Sequence, residues 1–261
     1  MNLEATTRKV ISLAREVGAF IRQERKTFSY AKVEHKGPSD LVSYVDKESE
    51  KQLVAELQKI IPEAGFITEE ETTGQQEKEY TWIIDPLDGT TNFVHGIPNY
   101  CVSVGLMKAG SMVAGVVYEV ANDECFYAWK EGGAYLDGSR ITVSKAAKIQ
   151  DVVLATGFPY YNFEKLDQYL KILNDLMKDT QGLRRMGSAA ADMAYVACGR
   201  YGGFFEYNLN SYDIAAGVIL VQEAGGIVTD FKGGSDFLFG RELVAGGNIH
   251  PAFLDVIKKY W

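Results

Sequence analysis

The sequence predicts a layered αβαβα sandwich, in which an N-terminal α+β half built on an antiparallel meander sheet runs into a C-terminal α/β half with a mixed sheet and helices. Three observations carry this. Apolar residues at helical spacing open the chain. Runs rich in Val, Tyr, Phe and Ile, broken by tight turn signals, fill the middle. After about Ser144, helix and strand signals alternate. We divide the chain at residues 1–145 and 146–261, with no flexible linker, internal repeat or low-complexity tract between the two halves.

From Leu3 to Ile21 the apolar positions Leu3, Val10, Leu13, Ala14, Val17 and Ile21 fall on one face of a helix. A turn at Lys36–Asp40 and an extended piece at Leu41–Val45 lead to a second helix, which begins near Asp46 and stops at Pro62. Strands are expected at Tyr100–Met107, Met112–Val120, Glu124–Trp129 and Ala134–Leu136. Ala109-Gly110-Ser111, Asn122-Asp123 and Gly132-Gly133 lie between them, and Asp137-Gly138 follows the last. Sequence-adjacent strands with such short turns form an antiparallel meander. In the second half, helices are expected at Leu166–Met177, Ser188–Cys198 and Asp213–Ala224, the last closed by Gly225-Gly226. Strands are expected at Val152–Thr156, Gly203–Tyr207, Ile227–Asp230 and Leu243–Gly246, and Pro251 opens a terminal helix.

Composition removes several function classes. The chain has 261 residues, 46% of them hydrophobic, enough for a large core. No stretch approaches the roughly 20 apolar residues of a membrane span, and Met1–Ser12 lacks a signal-peptide pattern, so a cytoplasmic location is expected. Cys101, Cys125 and Cys198 are odd in number and scattered, which suggests reduced thiols. A net charge of −8 argues against a nucleic-acid partner. It sits awkwardly with a phosphorylated substrate unless carboxylates are used to recruit cations.

The segment Trp82-Ile83-Ile84-Asp85-Pro86-Leu87-Asp88-Gly89-Thr90-Thr91-Asn92-Phe93 is the sharpest. Two aspartates in an irregular turn at a strand's end aim at one point, which a regular strand prevents by alternating faces. If Thr90–Asn92 open a helix, their amides form a phosphate cradle, with Gly89 permitting close approach. The same pattern also suits a plain loop in which Asp85 and Asp88 only cap amides. Glu69-Glu70-Glu71 after the strand piece Gly65–Ile67 read most simply as a solvated loop, and Asp213 and Asp46 as helix caps. Four regions with carboxylates at element ends nevertheless suit Mg²⁺, which prefers hard oxygen ligands. His35, His95 and His250 are isolated and need no catalytic reading.

Asp85-Pro86-Leu87-Asp88-Gly89-Thr90-Thr91-Asn92-Phe93, with Glu69-Glu70 before it and Tyr212–Gly217 and Glu223–Gly226 after, resembles the inositol monophosphatase family of lithium-sensitive, Mg²⁺-dependent phosphatases. Lys36, Asp40–Val42 and Asp46 look like that family's N-terminal segment and Gly187–Ala190 like its substrate-side loop, so the likeness covers nearly the whole chain. The resemblance implies metal ligation by Glu69, Asp85, Asp88, Asp213 and the Leu87 carbonyl. It implies a water oriented by Glu69 and Thr90, with Asp46 supporting Thr90. Gly89 and Thr90 amides would contact phosphate, while Glu206 and the Ser188-Ala189 backbone would contact the inositol or sugar ring. A homodimer acting on a small phosphorylated polyol is the family's implied form.

The expected chemistry is direct water attack: one Mg²⁺ acidifies a bound water, a second stabilises the departing oxygen, and no phosphoenzyme forms. An aspartyl-phosphate at Asp85 is the competing scheme. Departures from the family pattern lie at Tyr212, where Trp is common, and in the aromatic stretch Gly157–Tyr161. Within the superfamily the runner-up is a 3′(2′),5′-bisphosphate nucleotidase; such relatives tend to carry Lys-Glu-Phe at Thr91-Asn92-Phe93. Fructose bisphosphatase and histidinol phosphatase activities share the metal site. A reading of a different class is a non-catalytic regulatory or binding protein on the same scaffold.

Overall fold

The computed structural model describes residues 1–30, 33–37, 40–159 and 162–261, and leaves the side chains of residues 34–37, 40 and 41 undescribed. Helices α1 (Leu3–Thr27) and α2 (Tyr44–Ile60) lie on one face of a seven-stranded sheet. The sheet runs in the order β3 (Gly65–Thr68), β4 (Tyr80–Asp88), β5 (Cys101–Lys108), β6 (Ser111–Glu119), β7 (Glu124–Trp129), β8 (Gly133–Leu136) and β9 (Ser139–Ile141). A separate hairpin, β1 (Val33–Gly37) and β2 (Asp40–Ser43), precedes α2, and the short helix α3 (Thr90–His95) follows β4. On the other face of the seven-stranded sheet lie α5 (Ala189–Ala197) and α6 (Ser211–Glu223). Beyond them is a five-stranded sheet ordered β11 (Gly182–Arg184), β10 (Val153–Thr156), β12 (Gly203–Tyr207), β14 (Glu242–Gly246) and β13 (Ile227–Thr229). Helices α4 (Leu166–Asp179) and α7 (His250–Lys258) close the outer face, completing αβαβα.

The alternation of a strand explains how β4 serves two cores at once. Trp82 and Ile84 point into the cluster under α1 and α2, and Ile83 into the cluster shared with α5 and α6. With both faces covered, the strand reads as an unbroken apolar run, and each fully buried large side chain contributes about 1.5–3 kcal/mol. Gly105 and Gly115 are directly paired across β5 and β6, and α6 rests on them. A Cβ on Gly105 would come within 2.9 Å of Ala215 Cβ, and one on Gly115 within 2.7 Å of the Ala216 carbonyl oxygen. That close approach fixes the depth at which the N-terminus of α6, and Asp213 with it, meets the sheet.

Several local expectations shift. The first helix runs on to Thr27, because Arg22–Lys26 are good helix formers even where the apolar stripe has ended. Extended chain stops at Ser43 rather than Val45: Ser43 caps α2 and closes a capping box with Asp46, so Tyr44 and Val45 are already helical. The seven-stranded sheet is a meander only from β4 onward, because β3 pairs with β4 in parallel. Asp85 and Asp88 stand not in a turn beyond the strand but at a bulge within β4, where Asp85 pairs with Ser103 and Asp88 with Cys101. Pro86 has no amide to continue the ladder, and the extra residue swings both carboxylates to one side. Strands β1, β9 and β11 are not expected from the sequence, and the β1–β2 hairpin takes Lys36-Gly37 and Asp40 out of the turn expected at Lys36–Asp40.

Candidate active site

The N-termini of α3, α5 and α6 and the ends of β3 and β4 converge on one cleft of about 170 Å³. Glu69, Asp85, Leu87, Asp88, Gly89, Thr90, Ser188, Ala189, Glu206 and Asp213 all line it. Asp46, which the resemblance implies as the support of Thr90, stands behind the wall instead. It is fully buried on α2 and accepts the Thr90 hydroxyl on Oδ1 at 2.6 Å, while its Oδ2 accepts Ser43 N–H at 2.9 Å and Ser43 Oγ at 2.7 Å. Asp46 is thus both a helix cap and the partner of Thr90. Burial pushes its carboxyl upward, and the Thr90 and Ser43 hydrogen bonds pull it back.

Asp85, Asp88 and Asp213 are each tethered through amides or hydroxyls at an element end. Asp85 Oδ1 accepts Leu87 N–H at 3.0 Å. Asp88 Oδ2 accepts Ser188 Oγ at 2.6 Å and Ala190 N–H at 2.7 Å, which ties the β4 bulge to the start of α5. Asp213 Oδ2 accepts Asn210 N–H at 2.6 Å in a capping box. Glu69 follows β3 and its N–H donates to Ile84 O at 3.3 Å. The Leu87 side chain is buried under α2, and its carbonyl lies 3.0 Å from Thr90 Oγ1. Gly89, at φ +92°, takes the left-handed conformation that lets β4 turn directly into α3.

Burial and mutual repulsion set the electrostatics of these acids. Asp85 is driven well above the usual carboxylate range by burial first and then by Glu69, Asp88 and Asp213, and it shares a hydrogen bond with Glu69. Asp213 is likewise driven well up by burial and by Asp88. Burial takes Asp88 to about 6, despite the opposing hydrogen bonds from Ser188 and Ala190. Glu206, on β12, is raised by burial to about 8, which leaves it largely protonated at neutral pH. A divalent cation suits such a set of hard, mutually repelling oxygens, while the nearby helix N-termini favour the carboxylates themselves and an anionic ligand. Among the described residues no three His, Cys, Asp or Glu side chains already stand at ligand spacing; three of the carboxylates spend an oxygen on the amides named above.

Four residues around the cleft make contacts that the sequence does not announce. Asn92 Nδ2 donates to Asn99 O at 2.7 Å and to Met186 O at 2.8 Å, pinning the 186–189 loop to α3. Arg185 lines the cleft and lies 5.7 Å from the Phe158 ring centroid. Asp192, on α5, is buried, and its Oδ1 has no hydrogen-bond partner among the described residues. Gly157 gives up its side-chain space to Glu206, since a Cβ there would sit 2.0 Å from that carboxyl group. The Arg184-Arg185 pair just before Gly187 was the one visible cue. Tyr212 and Phe158 also line the cleft, whereas Tyr160, Tyr161, Pro38, Ser39 and the side chain of Lys36 lie outside the described residues. His95 is exposed at the end of α3 and does not line the cleft.

The model of the inositol monophosphatase family matches residues 2–261. An inositol-1-monophosphatase of Mesorhizobium japonicum is 40% identical over 252 residues, which are 96% of this chain and 95% of that protein. The Nus factor SuhB of Pseudomonas aeruginosa is 41% identical over 242 residues, covering 89% and 88%. The crystal structure of extragenic suppressor protein suhB from Bartonella henselae superposes with a TM-score of 0.93 at 40% identity, over 98% of this chain and 99% of that one.

Proposed function

Because this chain belongs to the inositol monophosphatase family, and with it to a phosphatase superfamily, we propose that it hydrolyses a small phosphate monoester, inositol monophosphate first, with Mg²⁺ as cofactor. The observation that carries the reading is the meeting of Glu69, Asp85, Asp88 and Asp213, from three separate stretches of chain, in one cleft beside the start of α3. Those four side chains and the Leu87 carbonyl would hold Mg²⁺. Bound there, the metal neutralises phosphoryl charge and makes a water more acidic.

The protein's own groups do the rest. Thr90 has one hydroxyl proton, and the Asp46 carboxylate at 2.6 Å is a stronger acceptor than the Leu87 carbonyl at 3.0 Å. With that proton engaged, Oγ1 can only accept, so it takes a hydrogen bond from the attacking water while Glu69 takes the other. Gly89, Thr90 and Thr91 line the cleft at the start of α3, where the first N–H groups have no acceptors within the helix and would hold phosphoryl oxygens. Ser188, Ala189 and Glu206 flank the leaving group; a protonated Glu206 donates to a ring hydroxyl oxygen. Water attack needs no covalent phosphoenzyme, so trapping labelled phosphate on Asp85 overturns this scheme.

Phosphate release from inositol monophosphate, with Mg²⁺ and then with EDTA, tests the reading. Asp88→Asn is expected to abolish turnover, and activity indifferent to EDTA and to Asp88→Asn refutes it. A panel containing adenosine bisphosphate, fructose bisphosphate and histidinol phosphate tests the substrate, and preference for the nucleotide favours the runner-up. Relatives named Nus factor support a second reading, in which the scaffold serves a binding role; a folded protein with no hydrolysis across the panel favours it. A homodimer in the cytoplasm completes the proposal, checked by light scattering and by fractionation. It accords with the finding that no helix among the described residues is long and apolar enough to cross a membrane.

A further inference from the structure

Glu50 is fully buried on α2, within a run of charged residues whose neighbours Glu48 and Lys51 pair with each other at the surface. A buried carboxylate is costly unless its oxygens are satisfied. Glu50 has three donors, all from one short segment. Its Oε2 accepts Glu70 N–H at 2.7 Å, and its Oε1 accepts Thr72 N–H at 2.7 Å and Thr72 Oγ1 at 2.7 Å. Between those two amides Glu71 adopts φ +51°, a left-handed conformation uncommon outside glycine. Residues 70–72 therefore curl as a nest of donors around the Glu50 carboxylate.

The residue immediately before this nest is Glu69. Upstream, its N–H is held by Ile84 O at the end of the β3–β4 pair; downstream, the chain is held by Glu50. One helical turn before Glu50, on the buried side of the same α2, Asp46 holds Thr90. We propose that Glu50 is a positioning residue: together with Asp46 it references Glu69 and Thr90 to one rigid helix face, setting the separation of the two groups that orient the attacking water. The inference rests on the phosphatase reading above. It adds that the acid doing this for Glu69 never enters the cleft.

A plain structural anchor would also be buried and bonded, so the test includes one. Glu119 is fully buried and caps a turn by accepting Ala121 N–H at 3.3 Å and Asn122 N–H at 2.6 Å, and it does not line the cleft. The experiment compares Glu50→Gln, Thr72→Ala and Glu119→Gln by calorimetric Mg²⁺ titration, by kcat and KM on inositol monophosphate, and by thermal unfolding. Glu50→Gln is expected to weaken Mg²⁺ binding and lower kcat by about 10–100-fold with KM unchanged, the usual cost of removing an outer-shell partner. Thr72→Ala, at an exposed residue, removes one of the three donors and is expected to move both quantities the same way by roughly 2–10-fold. Thr72→Ala decides the matter if Glu50→Gln does not fold. Glu119→Gln is expected to lower only the unfolding temperature. Wild-type Mg²⁺ affinity and kcat in both Glu50→Gln and Thr72→Ala overturn the inference, as does an equal shift in Glu119→Gln. A wild-type protein that neither binds Mg²⁺ nor releases phosphate defeats the phosphatase reading itself, and this inference with it.

Discussion

Asp46→Asn separates the two duties of Asp46, and its outcome follows from counting donors. Three hydrogens point at the carboxylate: Ser43 N–H and Ser43 Oγ–H at Oδ2, and the Thr90 hydroxyl at Oδ1. Asparagine offers one acceptor oxygen, so its NH₂ must face either Ser43 or Thr90. The Ser43 side has a backbone N–H that cannot turn away, whereas the Thr90 hydroxyl can rotate to Leu87 O, already 3.0 Å distant. The amide therefore settles toward Thr90 and donates to Oγ1 while the hydroxyl turns to Leu87 O; Oγ1 keeps one lone pair for the water but loses the anionic acceptor that fixed its orientation. Losing one charge-assisted hydrogen bond costs about 1.5–3 kcal/mol, or a fall of roughly 3–10 °C in Tm for a chain of this size. Losing the orientation of the nucleophile costs on the order of 10²-fold in kcat. Ser43→Ala is the counterpart: it weakens the helix cap by about 0.5–2 kcal/mol and leaves Thr90 untouched, so Tm falls while kcat holds. Differential scanning fluorimetry and steady-state phosphate release read both quantities. A folded Asp46→Asn protein with wild-type kcat, or a Ser43→Ala protein that loses as much kcat as Asp46→Asn, refutes the reasoning.

Mg²⁺ at about 100 times its Kd is expected to stabilise the protein by about 2.7 kcal/mol, visible as a Tm rise that EDTA reverses. Asp85→Asn is expected to remove that rise while leaving Tm in EDTA at or above the wild-type value, because it relieves repulsion from Glu69, Asp88 and Asp213; a metal-free Asp85→Asn protein that unfolds well below wild type contradicts this. Glu206 gives a pH signature in EDTA. Its folded pKa of about 8 lies above the unfolded value, so the folded form holds the proton more tightly, and its contribution to stability is full at low pH and lost as pH rises toward 8. Glu206→Gln is expected to flatten the decline between about pH 5 and 8 by up to ~1.4 kcal/mol per pH unit, measured by urea unfolding; an unchanged slope rules this out. Asn92→Ala frees the 186–189 loop from α3 by removing bonds to Asn99 O and Met186 O, and is expected to raise KM more than it lowers kcat.

The layers and most elements are legible because they rest on local signals: the stripe of α1, the apolar runs of β4 to β8 cut by turn residues, and the apolar body of α6 between Asp213 and Gly225. The strands that the sequence does not announce are β9 and β11, three residues each, and β1, and each rests on a single pairing neighbour. The parallel β3–β4 pairing is hidden for a related reason, since the eleven residues between the two strands, 69–79, carry no helix signal to suggest a crossover. In the cleft, acids at element ends stood out, but their supports did not. Asn92 acts on backbone carbonyls 94 residues away, and Glu50 on amides 20 and 22 residues on. Nothing in the run Lys47–Lys51 distinguishes the buried Glu50 from the solvated Glu48 except helical phase.

The acidity that looked contradictory in a protein for anionic substrates resolves at the level of single carboxylates. Asp85, Asp88 and Asp213 are held by amides at a bulge and at helix starts, so they cannot swing apart to relieve their repulsion. Without a counter-ion they respond by binding protons more tightly, which is what burial and mutual charge do to Asp85 and Asp213. A divalent cation bound there would displace those protons, so metal binding is expected to be coupled to proton release. Mg²⁺ titrated into the protein near pH 6 is thus expected to acidify an unbuffered solution, and by less in Asp85→Asn. Binding without proton release would mean that the acids are already ionised, and that the rigid bulge at Asp85–Asp88 does not impose the strain inferred from its geometry.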